Sequence, residues 1–421
     1  MKNLNNLSLR LILQRLLISL SVILFLRLGS FLPVPGINHT DLALYIQANP
    51  LARSVVSTFS GKETFVIGLF TLNIFPYINA SIIIQLIIAF SPSLSKLQKE
   101  GDLKARRSLN RLTRFITLIW AIIQSLGVGL YLRQILFDWN LQLLCEIVLW
   151  LTTGAMIVLW LSELITDYGL GNGASLLIYT NIVSSFPNLC KTILVENSEK
   201  LNTISSFGIG GLILISLFGI VLLQEGIRQI PLISSKQLNQ QSNRSITNIS
   251  TYIPLKLNQA GVMPIILTTA VLVLPSYINN LGILPNLNLS DLGIFSKFLY
   301  WIVYFGFILA FSSFYSTIVL NPKDISDQLQ KMAVTIPEVR PGVQTTFYLK
   351  KVMQRLTLIG ALALAILATL PNFIEGILNI SNLNGLSTTS LLIMAGVLID
   401  ITREVEDIIY SNIYKKNQIK L

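Results

Sequence analysis

Long apolar stretches constrain this chain more than any other feature. A helix that crosses a bilayer needs about 20 mostly apolar residues. Ten stretches meet that description, at residues 16–33, 65–91, 113–134, 140–163, 173–194, 206–224, 259–283, 296–320, 356–374 and 387–408. Only 12% of the 421 residues are charged, about half the share in an average soluble domain. The sequence therefore predicts an all-α polytopic membrane protein with ten transmembrane helices, and it excludes a soluble globule and a disordered chain.

The distribution of basic residues predicts the orientation. With ten spans, 24 of the 31 lysines and arginines fall on the side that holds both termini, 6 fall on the other side, and Arg27 lies in the first span. Because basic loops stay on the cytosolic side, both termini are expected to face the cytosol or its organellar equivalent, the stroma. Topology accounts for the net charge of +11, so no direct nucleic-acid recognition is expected.

Few residues are suited to catalysis or metal binding. The chain has one histidine, His39, and two cysteines, too few for a zinc, haem or di-iron site. No catalytic constellation is visible, so we expect neither an enzyme nor a cofactor. The ionisable groups within spans are Arg27, Glu146 and Asp400, and they form no evident proton relay, so pairing or snorkelling to the interface explains each as well as function does.

Two long polar segments on the terminal side could receive a soluble partner. Residues 225–258 show two short runs typical of strands around a polar tip. Residues 321–355 contain IPEVRPG, in which Pro341 and Gly342 predict a turn that displays Arg340 at a bend. An ordinary solvated loop is the other interpretation of each segment, and it is the favoured one for loops in membrane proteins generally.

Two further features indicate a cavity and a weak helix interface. Residues 50–64 are too polar to span, and irregular backbone enters a membrane only where it is buried in protein or faces water. Spans two and seven carry prolines together with Asn, Gln and Thr. Such side chains bond across helices more weakly than ion pairs, which is typical of an interface that is cohesive yet separable. Ordinary helix packing is the other interpretation, and these residues alone favour it.

Several motifs together resemble the SecY family, the channel subunit of the general protein translocase. They are PYINASIIIQ, LQKEGDLKARR, LGNGASLLI, IPLKLNQAGVMP, IPEVRPG followed by TFYLKKVMQRLTLIGA, and STTSLLI. The likeness runs in order over nearly the whole chain. It implies two five-helix halves, residues 1–200 and 201–421, in inverted pseudo-symmetry, with a lateral gate between spans two and seven.

The resemblance also assigns roles to individual residues. The implied pore ring is Ile78, Ile82, Ile178, Ile182, Ile266 and Ile393. The implied plug covers about 53–68 and includes Phe59, Ser60 and Gly61, and the gate includes Gln85, Thr268 and Thr269. The implied partner contacts are Arg228, Arg340, Pro341 and Gly342. Aliphatic side chains four apart share a helix face and can close a pore by dewetting. Lys62 and Asn73 depart from the family pattern, where glycine is common.

The implied function is a protein-conducting channel without enzymatic activity. It would translocate unfolded preproteins and release transmembrane segments into lipid. Its expected partners are SecE, possibly SecG, and the SecA motor ATPase or the ribosome, since the sequence has no nucleotide-binding loop. A ten-span secondary solute transporter is the alternative function, and a scaffold without a pore is a third. The Asn- and Ile-rich sequence without a transit peptide predicts the plastid thylakoid membrane, with a bacterial plasma membrane as the alternative.

Overall fold

The computed structural model describes residues 2–34, 68–91, 94, 103–132, 140–191, 203–234, 252–258, 261, 264–265, 267–268, 293–319, 321–378 and 388–419. Ten helices lie in this part of the chain: α1 Lys2–Gly29, α2 Phe75–Phe90, α3 Leu103–Leu132, α4 Leu141–Tyr168, α5 Gly173–Lys191, α6 Thr203–Glu225, α7 Gly293–Val319, α8 Pro322–Lys331, α9 Val343–Leu378 and α10 Thr388–Ile419. Four short strands accompany them: β1 Ile227–Pro231, β2 Ile233–Ser234, β3 Tyr252–Lys256 and β4 Val334–Thr335.

Nine of the ten predicted spans overlap a described helix. Each predicted span except the seventh coincides with a described helix, and the seventh is represented only by helical backbone at 264–265 and 267–268. By length and composition, four described helices can cross a membrane, at Arg10–Gly29, Arg107–Leu130, Leu141–Tyr168 and Val343–Thr369. Shorter apolar helical stretches lie at Phe75–Ile88, Gly173–Ser184, Leu214–Glu225 and Ile302–Ser316. The chain is an all-α polytopic membrane protein.

The described helices belong to two compact units. The first is Met1–Glu196 with Val397–Leu421, and the second is Asn197–Gly396. In the first unit, α3 packs against α2 and α4, and α4 also packs against α1 and α5. In the second unit, α9 packs against α6, α7 and α8, while β1 pairs with β3 and β2 with β4, both antiparallel. Inverted pseudo-symmetry between halves 1–200 and 201–421 stays a prediction.

Helix α2 begins later than the predicted span at 65–91, because the chain forms turns over residues 68–74 before Phe75. Asn73 lies in the left-handed region with φ 48°, and its Oδ1 accepts a hydrogen bond of 2.9 Å from the N–H of Ile74. Asparagine tolerates this conformation better than other non-glycine residues, and Pro76 suits the first helical turn that follows. Asn73 therefore fills a position where glycine is common without disrupting the start of α2.

The turns at 68–74 lie directly against α4. The N–H of Leu69 donates to the carbonyl of Leu32 at 3.0 Å, so this irregular backbone is hydrogen-bonded. A Cβ built on Gly154 of α4 would lie 1.9 Å from the carbonyl oxygen of Leu69. Only a glycine at position 154 allows this approach.

We predict that Gly154→Ala destabilises the protein. In a helix interior this exchange normally stabilises by about 0.5–1 kcal/mol. Here the added methyl group meets backbone, so we expect a loss of about 1–3 kcal/mol. Gly127→Ala on α3 is the matched control, because a Cβ there meets nothing within 4 Å. Thermal unfolding of both variants in detergent measures the difference. Equal midpoints would contradict the described packing of residues 68–74 on α4.

Three distant parts of the first unit are tied together by side chains. Ser19 Oγ accepts from the N–H of Leu170 at 2.9 Å and donates to the carbonyl of Arg15 at 3.0 Å. Glu404 Oε2 accepts from the N–H of Gly171 at 2.5 Å, and its Oε1 lies 3.5 Å from Nη1 of Arg15. These bonds join α1, α10 and the turn between α4 and α5.

The backbone bond and the ion pair of Glu404 can be separated by substitution. Glu404→Ala removes both, and we expect a loss of about 1–2 kcal/mol because the N–H of Gly171 loses its partner. Glu404→Gln keeps an acceptor, and the half-exposed ion pair contributes less than about 1 kcal/mol. Glu406→Ala, at an exposed site on the same helix, is the control. Thermal midpoints should rank the alanine variant at 404 lowest. If the two substitutions at 404 were equally harmful, the ion pair would be the main contribution.

Candidate functional site

The described residues of the two polar segments, 225–234, 252–258 and 321–355, pack into one compact body, which we call the loop cluster. Its buried core joins β1, β3, α8, the connection after β4 and the start of α9. The core residues are Ile230, Leu255, Leu329, Ile336, Leu349, Val352, Met353 and Leu356. The loop cluster is therefore a packed structure with its own apolar core, and the interpretation of both segments as ordinary solvated loops is wrong.

Strands β1 and β3 confirm the two strands predicted in residues 225–258. They pair antiparallel, with Arg228 opposite Leu255 and Ile230 opposite Ile253. Each strand buries one residue in the loop cluster, Ile230 at 2% exposure and Leu255 at 1%, while Arg228 is exposed. The strand pairing thus places the Arg228 side chain on the exposed face of the two-stranded sheet. The predicted polar tip lies outside the described residues.

Helix α8 is a part of the cluster that the sequence analysis missed. Asn321 caps it by accepting a hydrogen bond of 3.2 Å from the N–H of Lys323, and Pro322 occupies the first turn. Ser326 and Leu329 on one face are buried. An Asn-Pro pair ahead of apolar residues spaced three to four apart is a helix-start signal, so the sequence did contain the information.

The predicted turn at Arg340 is present, and hydrogen bonds to its carbonyls hold it in place. Thr345 Oγ1 donates to the carbonyl of Arg340 at 2.8 Å. Ser326 Oγ and the N–H of Thr346 donate to the carbonyl of Gly342 at 3.0 and 3.1 Å. Gly342 has φ 100°, a conformation that favours glycine. The bonded turn ties α8 to the start of α9 and leaves Arg340 exposed.

Positive charge dominates the surface of the loop cluster. Its exposed basic residues are Arg228, Lys256, Lys323, Lys331, Arg340, Lys350, Lys351 and Arg355. Its exposed acidic residues are Glu225, Asp327 and Glu338. Arg340 forms no ion pair with any residue that the structure describes. Such a surface attracts acidic partners and raises their rate of encounter.

The predicted pore-ring residues lie on several helices. Ile78 and Ile82 share one face of α2 and are 5% and 8% exposed. Ile178 and Ile182 lie half-buried on α5, four residues apart, and Ile393 is half-buried on α10. Position 266 lies outside the described residues. Those on α2 and α5 belong to the first unit and Ile393 to the second, so a common ring stays a prediction.

The predicted gate and plug residues are only partly described. Gln85 is half-buried on α2. Thr268 is fully buried, and its Oγ1 donates to the carbonyl of Pro264 at 2.7 Å. Thr269 and the plug residues Phe59, Ser60 and Gly61 lie outside the described residues. Thr268 thus satisfies its hydroxyl within its own helix.

The ionisable groups predicted within spans have local partners or are exposed. Nη2 of Arg27 on α1 donates to the carbonyl of Thr180 on α5. Glu146 accepts from Gln142 Nε2 at 3.3 Å, and Asp400 is exposed. Among the described residues, no group of three or more His, Cys, Asp and Glu could hold a metal ion. These positions favour structural roles.

Comparison with known proteins identifies the fold and the family. The SecY family model matches residues 68–402. A protein translocase subunit SecY from Trieres chinensis is 61% identical over 412 residues, covering 96% of this chain and 97% of that protein. The subunit from Guillardia theta is 43% identical over 406 residues, covering 96% of each.

Solved structures give the same fold at low sequence identity. A SecY structure, of a channel whose plug domain stabilises the closed state, is matched with a TM-score of 0.65, at 16% identity. The match covers 95% of this chain and 93% of that chain. A Sec61 structure in the canine ribosome-channel complex is matched with a TM-score of 0.60, at 15% identity and the same coverage. Together with the family match, these similarities show that this chain belongs to the SecY family.

Proposed function

We propose that this chain is the channel subunit of a protein translocase and conducts unfolded preproteins across a membrane. The observation that carries the proposal is the match to translocase subunits along almost the whole chain, at up to 61% identity among the relatives given above. A channel subunit has a non-enzymatic role. None of these similarities supports the alternative of a solute transporter.

Within this function, we assign Ile78, Ile82, Ile178, Ile182, Ile266 and Ile393 to a ring that seals around the moving chain. The assignment is supported by the apolar character of these side chains and by the burial of Ile78 and Ile82 on one face of α2. Each of the two spaced pairs lies on one helix face, and no polar atom is present in any of these side chains to hold water or an ion. An apolar constriction excludes ions when empty and adapts to varied side chains in transit.

Ile82→Asn should open a leak if the ring is formed as proposed. A buried amide would hydrate the constriction, so ion flux through proteoliposomes and export of precursors with defective signal segments should both rise several-fold. Ile87→Asn is the control, because residue 87 lies on the same helix but is 43% exposed. Protein level and thermal midpoint must be measured for both variants. A leak that is unchanged in a folded Ile82→Asn protein, or equal in the two variants, would remove Ile82 from the ring.

The plug and the gate complete the proposed path. We assign the plug to residues of about 53–68, including Phe59, Ser60 and Gly61. The gate is assigned to Gln85, Thr268 and Thr269, on spans two and seven, between which a signal segment would intercalate. Apolar transmembrane segments would leave sideways, since each Leu, Ile or Phe gains about 0.3–0.6 kcal/mol at the bilayer centre. The hydroxyl of Thr268 already bonds within its own helix, so the parting of spans two and seven would not leave it without a partner.

The loop cluster is the proposed docking site for the partner that drives the preprotein through the channel. A matched Sec61 structure is of a ribosome-channel complex, which supports ribosome binding here, and the SecA motor ATPase is the other candidate. Arg228 and Arg340 with Pro341 and Gly342 are the proposed contacts, because both arginines are exposed on firmly held backbone. SecE, and possibly SecG, would complete the channel.

Arg340→Glu should slow translocation without opening the channel. Reversing the charge on a rigid, exposed turn is expected to lower the initial rate of motor-driven precursor import into proteoliposomes by about tenfold, with a smaller effect at high salt. Arg340→Lys should rescue only part of the rate, because lysine lacks the planar guanidinium fork. Lys323→Glu, an exposed basic site on α8, is the control. Ion leakage should stay unchanged in all three. If Lys323→Glu were as harmful as Arg340→Glu, only the net charge of the cluster would matter.

The similarity to algal translocase subunits supports a plastid location. We propose the thylakoid membrane, with both termini and the loop cluster in the stroma. This orientation follows from the distribution of basic residues. A bacterial plasma membrane remains the alternative location. Protease digestion of intact thylakoids should cut within the loop cluster in the proposed orientation.

A further inference from the structure

The start of α9 presents two large apolar side chains. Val343 is 86% exposed and Phe347 is 70% exposed. They are four residues apart and so lie next to each other on one helix face. The opposite face of the same segment is buried in the loop cluster through Leu349, Val352 and Met353. This pair, Val343 and Phe347, is called the apolar knob below.

Lipid does not explain the exposure of the apolar knob. Helix α9 has 36 residues and is therefore about 54 Å long, whereas a hydrocarbon core is about 30 Å thick. Lys350, Lys351 and Arg355 separate the knob from the apolar run that begins at Leu356, and all three are exposed. Phe347 lies eight residues, about 12 Å along the helix, beyond Arg355. The knob therefore stands in water.

The backbone beneath the knob is already ordered. The carbonyls of Arg340 and Gly342, immediately before Val343, accept the hydrogen bonds from Thr345 and Ser326 described above. A partner that covers the knob therefore has little ordering entropy to overcome on this side of the interface. Aromatic side chains such as Phe347 are enriched at the cores of protein interfaces.

The charges around the knob indicate the chemistry of its partner. Phe347 and Lys351 are four residues apart, so an exposed cation follows the knob along the same face. Arg340 precedes it, and the helix begins at Val343 with the positive end of its dipole. We propose that the apolar knob is the docking site for an acidic amphipathic helix of a soluble partner protein, with apolar residues over Val343 and Phe347 and carboxylates toward Arg340 and Lys351.

Protein fits this site better than nucleic acid does. A base could stack on Phe347 and phosphates could bind the lysines. Val343, which is the more exposed of the two, offers neither a ring nor a charge, and it gains mainly from burial against apolar side chains. The inference rests on the proposed function, because it supplies a partner class for the loop cluster, but its test does not require translocation.

The test uses the full chain with its partner subunits in lipid nanodiscs. The probe is a fluorescent 18-residue helical peptide with leucines at i, i+3, i+4 and i+7 and glutamates at the flanking positions. A peptide with lysine in place of glutamate and a single-stranded RNA of similar length are the competing probes. The variants are Val343→Ser with Phe347→Ser, and Lys350→Glu with Lys351→Glu. Met332→Ser is the matched control, since residue 332 is 69% exposed and lies outside α9.

The acidic peptide should bind the unmodified channel. Val343→Ser with Phe347→Ser should raise the Kd of the peptide about tenfold or more. Lys350→Glu with Lys351→Glu should weaken binding of the acidic peptide and reduce the salt dependence of that binding. Met332→Ser should leave the Kd unchanged. The proposal would be overturned if the acidic peptide bound Val343→Ser with Phe347→Ser as tightly as the unmodified channel, or if Met332→Ser lost as much affinity as that double variant. Tighter binding of the lysine peptide than of the acidic peptide would also overturn it. RNA binding that depends on Phe347 would replace it with a nucleic-acid site. Precursor import by unmodified channels, assayed in parallel, tests the proposed function separately.

Discussion

The structure depends on hydrogen bonding of backbone wherever a helix stops, because lipid offers no partner for a free N–H or carbonyl. Two breaks between helices meet this requirement in different ways. In the turns before α2, Thr71 Oγ1 and the N–H of Thr71 both donate to the carbonyl of Gly68, at 2.7 and 3.1 Å. Between α4 and α5, side chains from two distant helices, Ser19 and Glu404, accept from the turn. These bonds decide where irregular chain can exist in this fold.

The sequence predicts those parts of the structure that follow from local pattern and solvent. The length of the apolar stretches alone predicted nine of the described helices, because the apolar composition of a segment is what makes it favour lipid over water. The strand pair in the loop cluster followed from short apolar runs, and the turn at Arg340 followed from Pro341 and Gly342. In each case the residues that carry the signal are neighbours in sequence. The resemblance to SecY channels supplied the function, which no local pattern did.

The features that the sequence did not predict are of two kinds. Some join residues that are distant in sequence, and others have a local signal that a stronger pattern, such as hydropathy, conceals. Hydropathy continues through residues 65–74, so it hides the turns that Asn73 and Pro76 permit. Helix α8 has a start signal at Asn321 that was missed because the segment is polar. The contact of Glu404 with the turn at Gly171 joins residues more than 200 positions apart, and no periodicity relates them. The proposed ring of isoleucines would also join residues that are distant in sequence, so motif resemblance could name them but spacing alone could not.

Hydroxyl groups in the spans show how helices can be cohesive in one place and separable in another. Ser81 on α2 donates to the carbonyl of Ile78 at 2.8 Å, and Thr268 donates to the carbonyl of Pro264 within its own helix. Both lie in the spans proposed to part, so these two hydroxyls lose no hydrogen bond on separation. By contrast, Ser316 on α7 and Thr357 on α9 are buried and share a hydrogen bond of 2.6 Å within one unit. Separating α7 from α9 would break this hydrogen bond, at a net cost of about 0.5–1.5 kcal/mol. A hydroxyl that bonds within its own helix does not hold two helices together, whereas one that bonds between helices does.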